Sequence, residues 1–287
     1  MAELLRVENL SFAYPPLLPG DASQPILSEV SFSLQAGEFV AILGGSGAGK
    51  TTLCHIIAGL APALTGGELR GQAIVRGADG RSLAGLVGYV FQDAADQLFS
   101  MSVEAEVAWG LEALAVPRAE MAARIDWALR LTGLDQARQR APLTLSAGQQ
   151  KRLALAATLA TRPALLLLDE PLGGLDPVGA AEMLRTLADL RREYGAAVLL
   201  ATSDPEIAVL ADRLLILQSQ PAGATISLAG SPGDVFRQLV QADPLAGLMP
   251  ELAQLAQRLN GELGADFAFF TEPEAVTALS AALRDRP

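Results

Sequence analysis

The spacing of hydrophobic and polar positions predicts that short strands alternate with helices along this chain. Residues 4–14 and 26–34 alternate roughly between apolar and polar side chains, as strands with one buried face do. The runs FVAILG from Phe39 and ALLLL from Ala164 are instead apolar almost throughout, which is typical of strands buried on both faces. Residues 68–90 contain two or three further short strands. The runs AAVLLATS, RLLILQ and ATISLAG indicate three strands later in the chain.

Helical spacing separates these strands. It is found in the segment TTLCHIIAGL and over residues of about 103–140, 146–161, 178–193 and 205–211. Buried strands that alternate with helices predict an α/β fold in which a parallel sheet is covered on both faces.

The pattern changes after about residue 240. We expect one helix from Pro250, with leucines on one stripe, and a second over residues of about 273–283. Residues 241–287 are therefore predicted to form a small helical extension to a domain that spans residues 3–240. Two roles for the extension remain open, because it could pack on its own domain or contact another subunit.

Composition and charge narrow the classes of partner. The chain has 287 residues, a net charge of −11 and a single cysteine, Cys54. Binding to nucleic-acid phosphates requires a basic surface, so a nucleic-acid partner is not expected. One cysteine excludes an intrachain disulfide and a cysteine-rich zinc site, and it fits a reducing compartment.

No segment is expected to span a membrane. The most apolar stretch, residues 153–168, is interrupted by Thr158, Thr161, Arg162 and Pro163. The first ten residues carry three charged side chains, where a signal peptide would be apolar. If the protein works at a membrane, we expect other chains to supply the spans.

The residues between the strand FVAILG and the next helix match the phosphate-binding pattern G-x-x-x-x-G-K-[ST]. Glycines let backbone N–H groups turn inward around phosphate oxygens, and the helix N-terminus adds the positive end of its dipole. Lys50 would bind the β- and γ-phosphates as a catalytic cation, and the Thr51 hydroxyl would be a magnesium ligand. The residues expected to bind nucleotide in this loop are Gly44, Gly45, Ser46, Gly47, Ala48, Gly49, Lys50, Thr51 and Thr52.

Two adjacent carboxylates follow the second apolar run. Asp169 ends the predicted strand, where it could hold magnesium. Glu170 is the candidate catalytic carboxylate, because it could polarise the water that attacks the γ-phosphate. An Asp-Glu pair at a strand end is also a common N-cap, but a phosphate-binding loop in the same chain favours the catalytic interpretation.

The segment LSAGQQKR, residues 145–152, resembles the LSGGQ signature of ATP-binding cassette (ABC) ATPases. It lies in the family's order, after the phosphate-binding loop and Gln92 and before Asp169. The resemblance covers about residues 3–240 and implies a P-loop NTPase cassette with three parts. These are a RecA-like parallel core, an antiparallel β subdomain and a helical signature subdomain over residues of about 94–160. ATP and Mg²⁺ are the implied cofactors, and ATP hydrolysis is the implied activity.

The same resemblance implies roles for residues outside the phosphate-binding loop. Tyr14 matches the aromatic residue that stacks on adenine, although it could also be a core residue of its strand. Gln92 matches the residue that reaches the magnesium ion and the attacking water. The signature, which closes over the ATP of a second subunit, is matched by Ser146, Gly148 and Gln149. The D-loop, which lies in the dimer interface, is matched by Asp176.

The chain departs from the family at one catalytic position. The family has a histidine in a pattern like THD, where this chain has Ser203 in TSD. A serine hydroxyl is shorter than an imidazole and cannot carry a positive charge. Because loss of one donor to transition-state charge can cost about 10²–10³ in rate, we expect slow hydrolysis or help from a different partner subunit. The only histidine, His55, is expected to be structural, and Ala147 in place of a signature glycine is a milder departure.

The stretch FQDAADQLF and the later run VEAEVAWGL resemble the ATP-binding subunits of energy-coupling factor transporters, which import cobalt, nickel and vitamins. The resemblance implies three partners: a second ABC ATPase subunit, identical or homologous, a transmembrane scaffold contacted near residues 92–97, and a substrate-capturing membrane protein. It also implies a peripheral location on the cytoplasmic face of the cell membrane. There the chain would power import of a metal ion or vitamin through nucleotide-driven closure of a dimer.

Three other functions remain open at this point. The chain could serve another class of ABC transporter, act on DNA or the ribosome as a soluble ABC protein, or bind nucleotide as a regulator without turnover. Tandem cassettes or zinc-binding insertions would favour the soluble class, and this sequence contains neither. Glu170 argues against the regulator, whereas Ser203 argues for it.

Overall fold

Strands and helices alternate over most of the chain. The computed structural model describes residues 2–16, 18, 23–76, 83–240, 248–263 and 267–284. In these residues the strands are β1 (Glu3–Ala13), β2 (Pro25–Gln35), β3 (Phe39–Leu43), β4 (Glu68–Val75), β5 (Val87–Val90), β6 (Leu165–Asp169), β7 (Ala197–Thr202), β8 (Arg213–Gln218) and β9 (Thr225–Gly230). The helices are α1 (Lys50–Ile57), α2 (Leu83–Leu86), α3 (Val103–Ala113), α4 (Arg118–Leu131), α5 (Ala147–Ala160), α6 (Pro177–Glu193), α7 (Pro205–Ala208), α8 (Pro232–Val240), α9 (Glu251–Leu263) and α10 (Glu272–Arg284).

The strands form two sheets. The larger sheet has the order β5-β6-β7-β3-β8-β9, with parallel pairing from β5 to β8 and an antiparallel edge at β9. Every residue of β3 and β6 is buried, which confirms that these two apolar runs are strands covered on both faces, and β7 is buried throughout as well. The smaller sheet is antiparallel and has the order β2-β1-β4. Because parallel strands end at one edge, the loops after β3, β5, β6 and β7 meet there.

The larger sheet separates two hydrophobic cores. Val40 and Ile42 of β3 lie in one core with β1, β2 and α1, whereas Ala41 and Leu43 lie in the other with α3, α5 and α6. This division follows from the two-residue period of a strand. The parallel sheet is covered on both faces, as the apolar pattern predicted. On the side of the first core, the smaller sheet, which has a single apolar face to bury, covers the parallel strands together with α1.

The helical region between residues 103 and 140 is two helices followed by short turns. The chain leaves α3 after Ala113, and Ala115 adopts a left-handed φ of 52°. Pro117 has no N–H to donate to a preceding turn, and it stands at the N-cap of α4. The prediction of continuous helicity is therefore wrong at residues 114–117 and beyond Leu131. The predicted helix over residues 205–211 is likewise only the single turn α7.

The C-terminal helices pack on the rest of the fold. α9 and α10 begin next to Pro250 and Pro273, as predicted. Phe270, just before α10, stacks on the buried Phe236 of α8 with ring centroids 5.8 Å apart. These contacts favour the interpretation in which the extension packs on its own domain. The predicted boundary near residue 240 falls beside residues 241–247, which lie outside the described residues.

None of the helices in the described residues is long and apolar enough to cross a membrane.

Gly88 of β5 marks a close approach between the sheet and the end of α5. A Cβ at this position would lie 2.5 Å from Cγ2 of Thr158 and 2.8 Å from Cγ of Pro163. We therefore expect Gly88→Ala to lower the free energy of unfolding by about 1–3 kcal/mol, measured by urea denaturation. Gly261→Ala in α9 is the matched control, because a Cβ there meets no atom of the described residues within 4 Å. Equal stabilities of the two variants would contradict this view of the packing.

Candidate functional site

The phosphate-binding loop connects β3 to α1. The N–H of Gly44 donates to the carbonyl oxygen of Thr202 at 3.2 Å, which joins the loop to the end of β7. Gly49 has a φ of 87°, and a Cβ there would lie 2.9 Å from Cδ2 of Leu27. Glycine has no Cβ, so it tolerates both the left-handed φ and the close approach of Leu27. The backbone can then turn its N–H groups toward one cavity.

A cavity of about 320 Å³ opens beside this loop. It brings the loop together with Gln92 after β5, Glu170 after β6 and Ser203 after β7. All three residues follow the carboxyl ends of parallel strands, where ligands bind in open α/β sheets. The predicted site residues that line this cavity are Ser46, Gly47, Ala48, Gly49, Lys50, Thr51, Thr52, Gln92, Glu170 and Ser203.

Lys50 is at the centre of this group. Its side chain is only 6% exposed, and its Nζ donates to the carbonyl oxygens of Gly44 and Gly45 at 2.9 and 3.0 Å. The same ammonium lies 3.1 Å from Oε1 of Glu170. The cation and the carboxylate that the sequence assigned to catalysis are therefore in direct contact.

Glu170 has an unusual backbone and a well-defined carboxylate. Its φ is 44°, a left-handed conformation that residues with a Cβ adopt rarely, and its N–H donates to the carbonyl oxygen of Ala201 at 2.8 Å. Oε2 accepts from the backbone N–H of Ser203 at 3.0 Å and from the Thr202 hydroxyl at 3.4 Å. Ser203 thus contacts the candidate catalytic carboxylate through its backbone N–H.

Asp169, next to Glu170, is buried, with 1% of its surface exposed. Burial raises the pKa of its carboxyl, and the hydroxyls of Thr51 and Tyr89 partly counter that shift. The Tyr89 hydroxyl donates to Oδ2 at 3.1 Å. Oδ1 is also buried but has no hydrogen-bond partner among the described residues.

The surroundings of Asp169 fit a magnesium ion. Burial removes water from Oδ1, and an acceptor without a partner is unfavourable there. A bound cation would supply the missing partner. Asp169, Thr51 and Gln92, which are the three predicted ligands, all line a second cavity of about 700 Å³. Carboxylate, hydroxyl and amide oxygens are the hard ligands that Mg²⁺ prefers.

Tyr14 lies beside the phosphate-binding loop. Its hydroxyl is hydrogen-bonded to the Thr52 hydroxyl at 3.2 Å, and its ring meets the Phe12 ring edge to face, with centroids 4.9 Å apart. The ring is half-buried against the core of the smaller sheet. The ring is therefore close to the loop and also contributes to the packing of the smaller sheet.

The signature and the D-loop lie apart from the phosphate cavity. Ser146 is the N-cap of α5 and forms a capping box with Gln149, in which each side chain accepts from the backbone N–H of the other. Asp176 caps α6 by accepting from the N–H of Gly179 at 2.7 Å, and a Cβ on Gly148 would lie 3.5 Å from Cα of Gly179. These two helix starts are therefore neighbours, and none of Ser146, Gly148, Gln149 and Asp176 lines the phosphate cavity.

Two polar residues that were not predicted as site residues contact Asp169 and Glu170. Tyr89 binds Asp169, and Lys151 of α5 donates from Nζ to the backbone carbonyl oxygen of Glu170 at 3.0 Å. The sequence feature that could have indicated Tyr89 is its place near the end of a strand, three residues before Gln92. The feature that could have indicated Lys151 is its position, as a basic residue, in the first turns of the helix that follows the signature. His55 lies in the same region, with its ring 5.7 Å from that of Tyr89, and burial lowers its pKa.

The chain is similar in sequence to proteins of known class. A sequence model of the family described as ABC transporter matches residues 27–173, about half of the chain. An energy-coupling factor transporter ATP-binding protein from Symbiobacterium thermophilum is 38% identical over 89% of this chain and 88% of that protein. The protein of the same name from Streptococcus thermophilus is 33% identical over 96% of this chain and 98% of that protein.

Solved structures show the same fold. The cbiO1 protein from Clostridium perfringens, part of the ABC transporter complex cbiONQ, matches with a TM-score of 0.67 and 31% identity over 86% of this chain and 98% of that one. A dimeric ATP-binding cassette in a post-hydrolysis state, bound to ADP and Pi, matches with a TM-score of 0.66 and 25% identity over 80% of this chain and 99% of that one. The predicted fold class is therefore confirmed.

Proposed function

Because the chain belongs to the ABC transporter family and is a transporter ATPase, we propose that it powers a membrane importer of the energy-coupling factor type. The main support for ATP hydrolysis at this site is the contact between Lys50 and Glu170, which line one cavity at the carboxyl edge of the parallel sheet. The similarity to energy-coupling factor proteins and to cbiO1 supports the importer class. A metal ion or a vitamin is the proposed cargo.

ATP binds with its phosphates against the loop that ends at Thr52. Backbone N–H groups and Lys50 neutralise the phosphate charge, and the ammonium exchanges its contact with Glu170 for phosphate oxygens. The released carboxylate is then able to accept a proton from the attacking water. Thr51, Gln92 and Asp169 would hold Mg²⁺, which when bound offsets the negative charge of the phosphate oxygens. Tyr14 contacts the adenine.

A second ABC ATPase subunit completes the site. This chain's own phosphate cavity is not lined by Ser146, Gly148 or Gln149, so these residues are available to the nucleotide of another subunit. Exposed apolar side chains flank them, with Leu143 78% exposed and Val178, beside Asp176, 67% exposed. Such side chains on a surface indicate a protein contact. The second subunit is a copy of this chain or a homologue, and ATP binding favours the closed pair.

The transmembrane scaffold binds near residues 92–97. Asp93 and Asp96 are exposed there, close in sequence to the exposed Met101 and the Phe99–Trp109 ring pair, whose centroids are 5.1 Å apart. Acidic and apolar side chains together suit a basic amphipathic helix of a partner. A separate membrane protein captures the cargo, and the chain works at the cytoplasmic face of the cell membrane.

Purification of the tagged chain from native membranes in mild detergent tests this function. We expect a multi-span scaffold and a small substrate-capturing membrane protein to co-purify with it. The variant with Asp93→Asn and Asp96→Lys should lose the scaffold, because a basic partner helix would meet a reversed charge. The control with Glu112→Gln and Asp135→Lys makes the same charge change at exposed sites elsewhere and should retain it.

Other results would contradict the proposal. A scaffold without a separate capture protein would favour another ABC transporter class, and co-purifying RNA or DNA would favour a soluble ABC protein. Retention of the scaffold by the Asp93 and Asp96 variant would contradict the proposed contact surface.

A further inference from the structure

Lys151 connects two parts of the site that are far apart in the chain. It lies in the first turns of α5, the helix that Ser146 caps, and its side chain is 7% exposed. Its Nζ donates to the backbone carbonyl oxygen of Glu170 at 3.0 Å. A lysine is rarely buried to this extent unless its ammonium has a definite partner.

The peptide groups on both sides of Glu170 are held. Its N–H donates to Ala201, and its carbonyl oxygen accepts from Lys151 and from the N–H of Gly173, the latter at 3.0 Å. The left-handed φ of Glu170 is unfavourable without such support. Loss of the Lys151 donor would therefore leave this backbone, and the direction of its carboxylate, less well defined.

The surroundings of Lys151 are those of a functional group. It lines the same 700 Å³ cavity as Gln92, Asp93 and Asp169. Burial lowers the pKa of its ammonium, and the negative charges of Asp93, Glu170 and Asp169 counter that shift. The ammonium thus lies where the loop after β5, the carboxylates after β6 and the signature helix meet.

Arg152, the next residue, provides a structural comparison. It is buried to a similar extent, 8% exposed, but it forms an ion pair with Glu182 of α6. That ion pair joins α5 to α6, and no hydrogen bond connects it to Asp169 or Glu170. Arg152 therefore contributes to helix packing, whereas Lys151, its neighbour in the sequence, contacts Glu170.

We propose that Lys151 is a positioning residue for ATP hydrolysis, which holds the Glu170 backbone to the helix that carries the Ser146 turn. The proposal rests on the catalytic role given to Glu170 under the proposed function. It assigns to Lys151 no contact with nucleotide. Lys151 acts on the rate through Glu170, while ATP affinity depends on the loop residues.

Replacement of Lys151 by methionine, which keeps the length but removes the donor, tests this role. We expect the kcat for magnesium-dependent ATP hydrolysis to fall roughly tenfold, while the Kd for ATP changes less than about twofold. Lys151→Gln, whose amide nitrogen is one bond nearer the backbone, should give the same loss and serves as a second variant. Arg152→Met is the control, with kcat within about twofold of the unmodified protein even where its melting temperature falls.

A double-variant cycle separates positioning from general damage. If Lys151 acts through Glu170, Lys151→Met should cause no further loss of kcat in a Glu170→Gln background. An equal fold-loss in both backgrounds, an unchanged kcat for the single variants, or the same loss for Arg152→Met would overturn the proposal. Absence of ATP turnover in the unmodified protein with its native partners would instead contradict the proposed function itself.

Discussion

Replacement of Glu170 by glutamine is expected to lower the kcat for ATP hydrolysis by roughly 10²–10⁴-fold, the range typical of a lost general base. Glutamine keeps the shape of the side chain and an oxygen that can accept from the N–H of Ser203. It cannot take a proton from water, and it no longer forms an ion pair with Lys50. Because Lys50 is then free of its carboxylate partner, ATP affinity should be equal or higher.

Steady-state hydrolysis and size-exclusion chromatography with ATP would measure both effects. Slow hydrolysis should leave the closed pair of subunits populated, so the variant should elute as a dimer with ATP and as a monomer without it. Glu193→Gln, an exposed carboxylate at the end of α6, is the control and should leave turnover unchanged. A kcat for Glu170→Gln within threefold of the unmodified protein would show that another group activates the water.

Replacement of Ser203 by histidine is expected to raise the kcat by at least about tenfold, up to the roughly 10²–10³ that one donor to transition-state charge can supply. Ser203 is exposed, lines the phosphate cavity and lies against the Glu170 carboxylate, so an imidazole there would project toward the γ-phosphate. The serine hydroxyl is too short to make that contact.

Ser203→Ala is the matched control for this gain. We expect it to leave the kcat within about twofold, because the hydrogen bond to Glu170 comes from the backbone N–H, which alanine retains. Both variants should be measured alone and with the native partner subunit. An unchanged rate for Ser203→His in both preparations would refute the idea that the missing histidine limits this site.

Much of the candidate site could be predicted because its residues are consecutive or directly follow apolar runs. The loop from Gly44 to Thr52 connects β3 to α1, and Asp169 ends β6, where the sequence placed them. The resemblance to ABC ATPases implied roles in hydrolysis for Gln92 and Ser203 beside Glu170, and all three residues line one cavity at the common edge of the parallel strands. Their individual roles remain predictions.

Other features could not be predicted, because they depend on contacts between distant segments. Pro117 was visible in the sequence, yet the break before α4 also involves the left-handed Ala115, which has no signal of its own. The small sheet covers one face of the parallel sheet, and helical or strand spacing says nothing about which element covers which face. The backbone contact of Ser203 was missed because a sequence displays side chains only.

The amino-acid sequence by itself determined the chemistry of this protein: a phosphate-binding loop, an Asp-Glu pair and a signature turn, each carried by a short local segment. The tertiary structure alone decided how those segments act on one another. It placed Lys50 against Glu170, left Oδ1 of Asp169 without a donor in the described part of the chain, and brought Lys151 from α5 to the Glu170 carbonyl oxygen. Local segments encode residue types and backbone preferences, whereas these contacts arise only when the sheet edge and the helical part pack together.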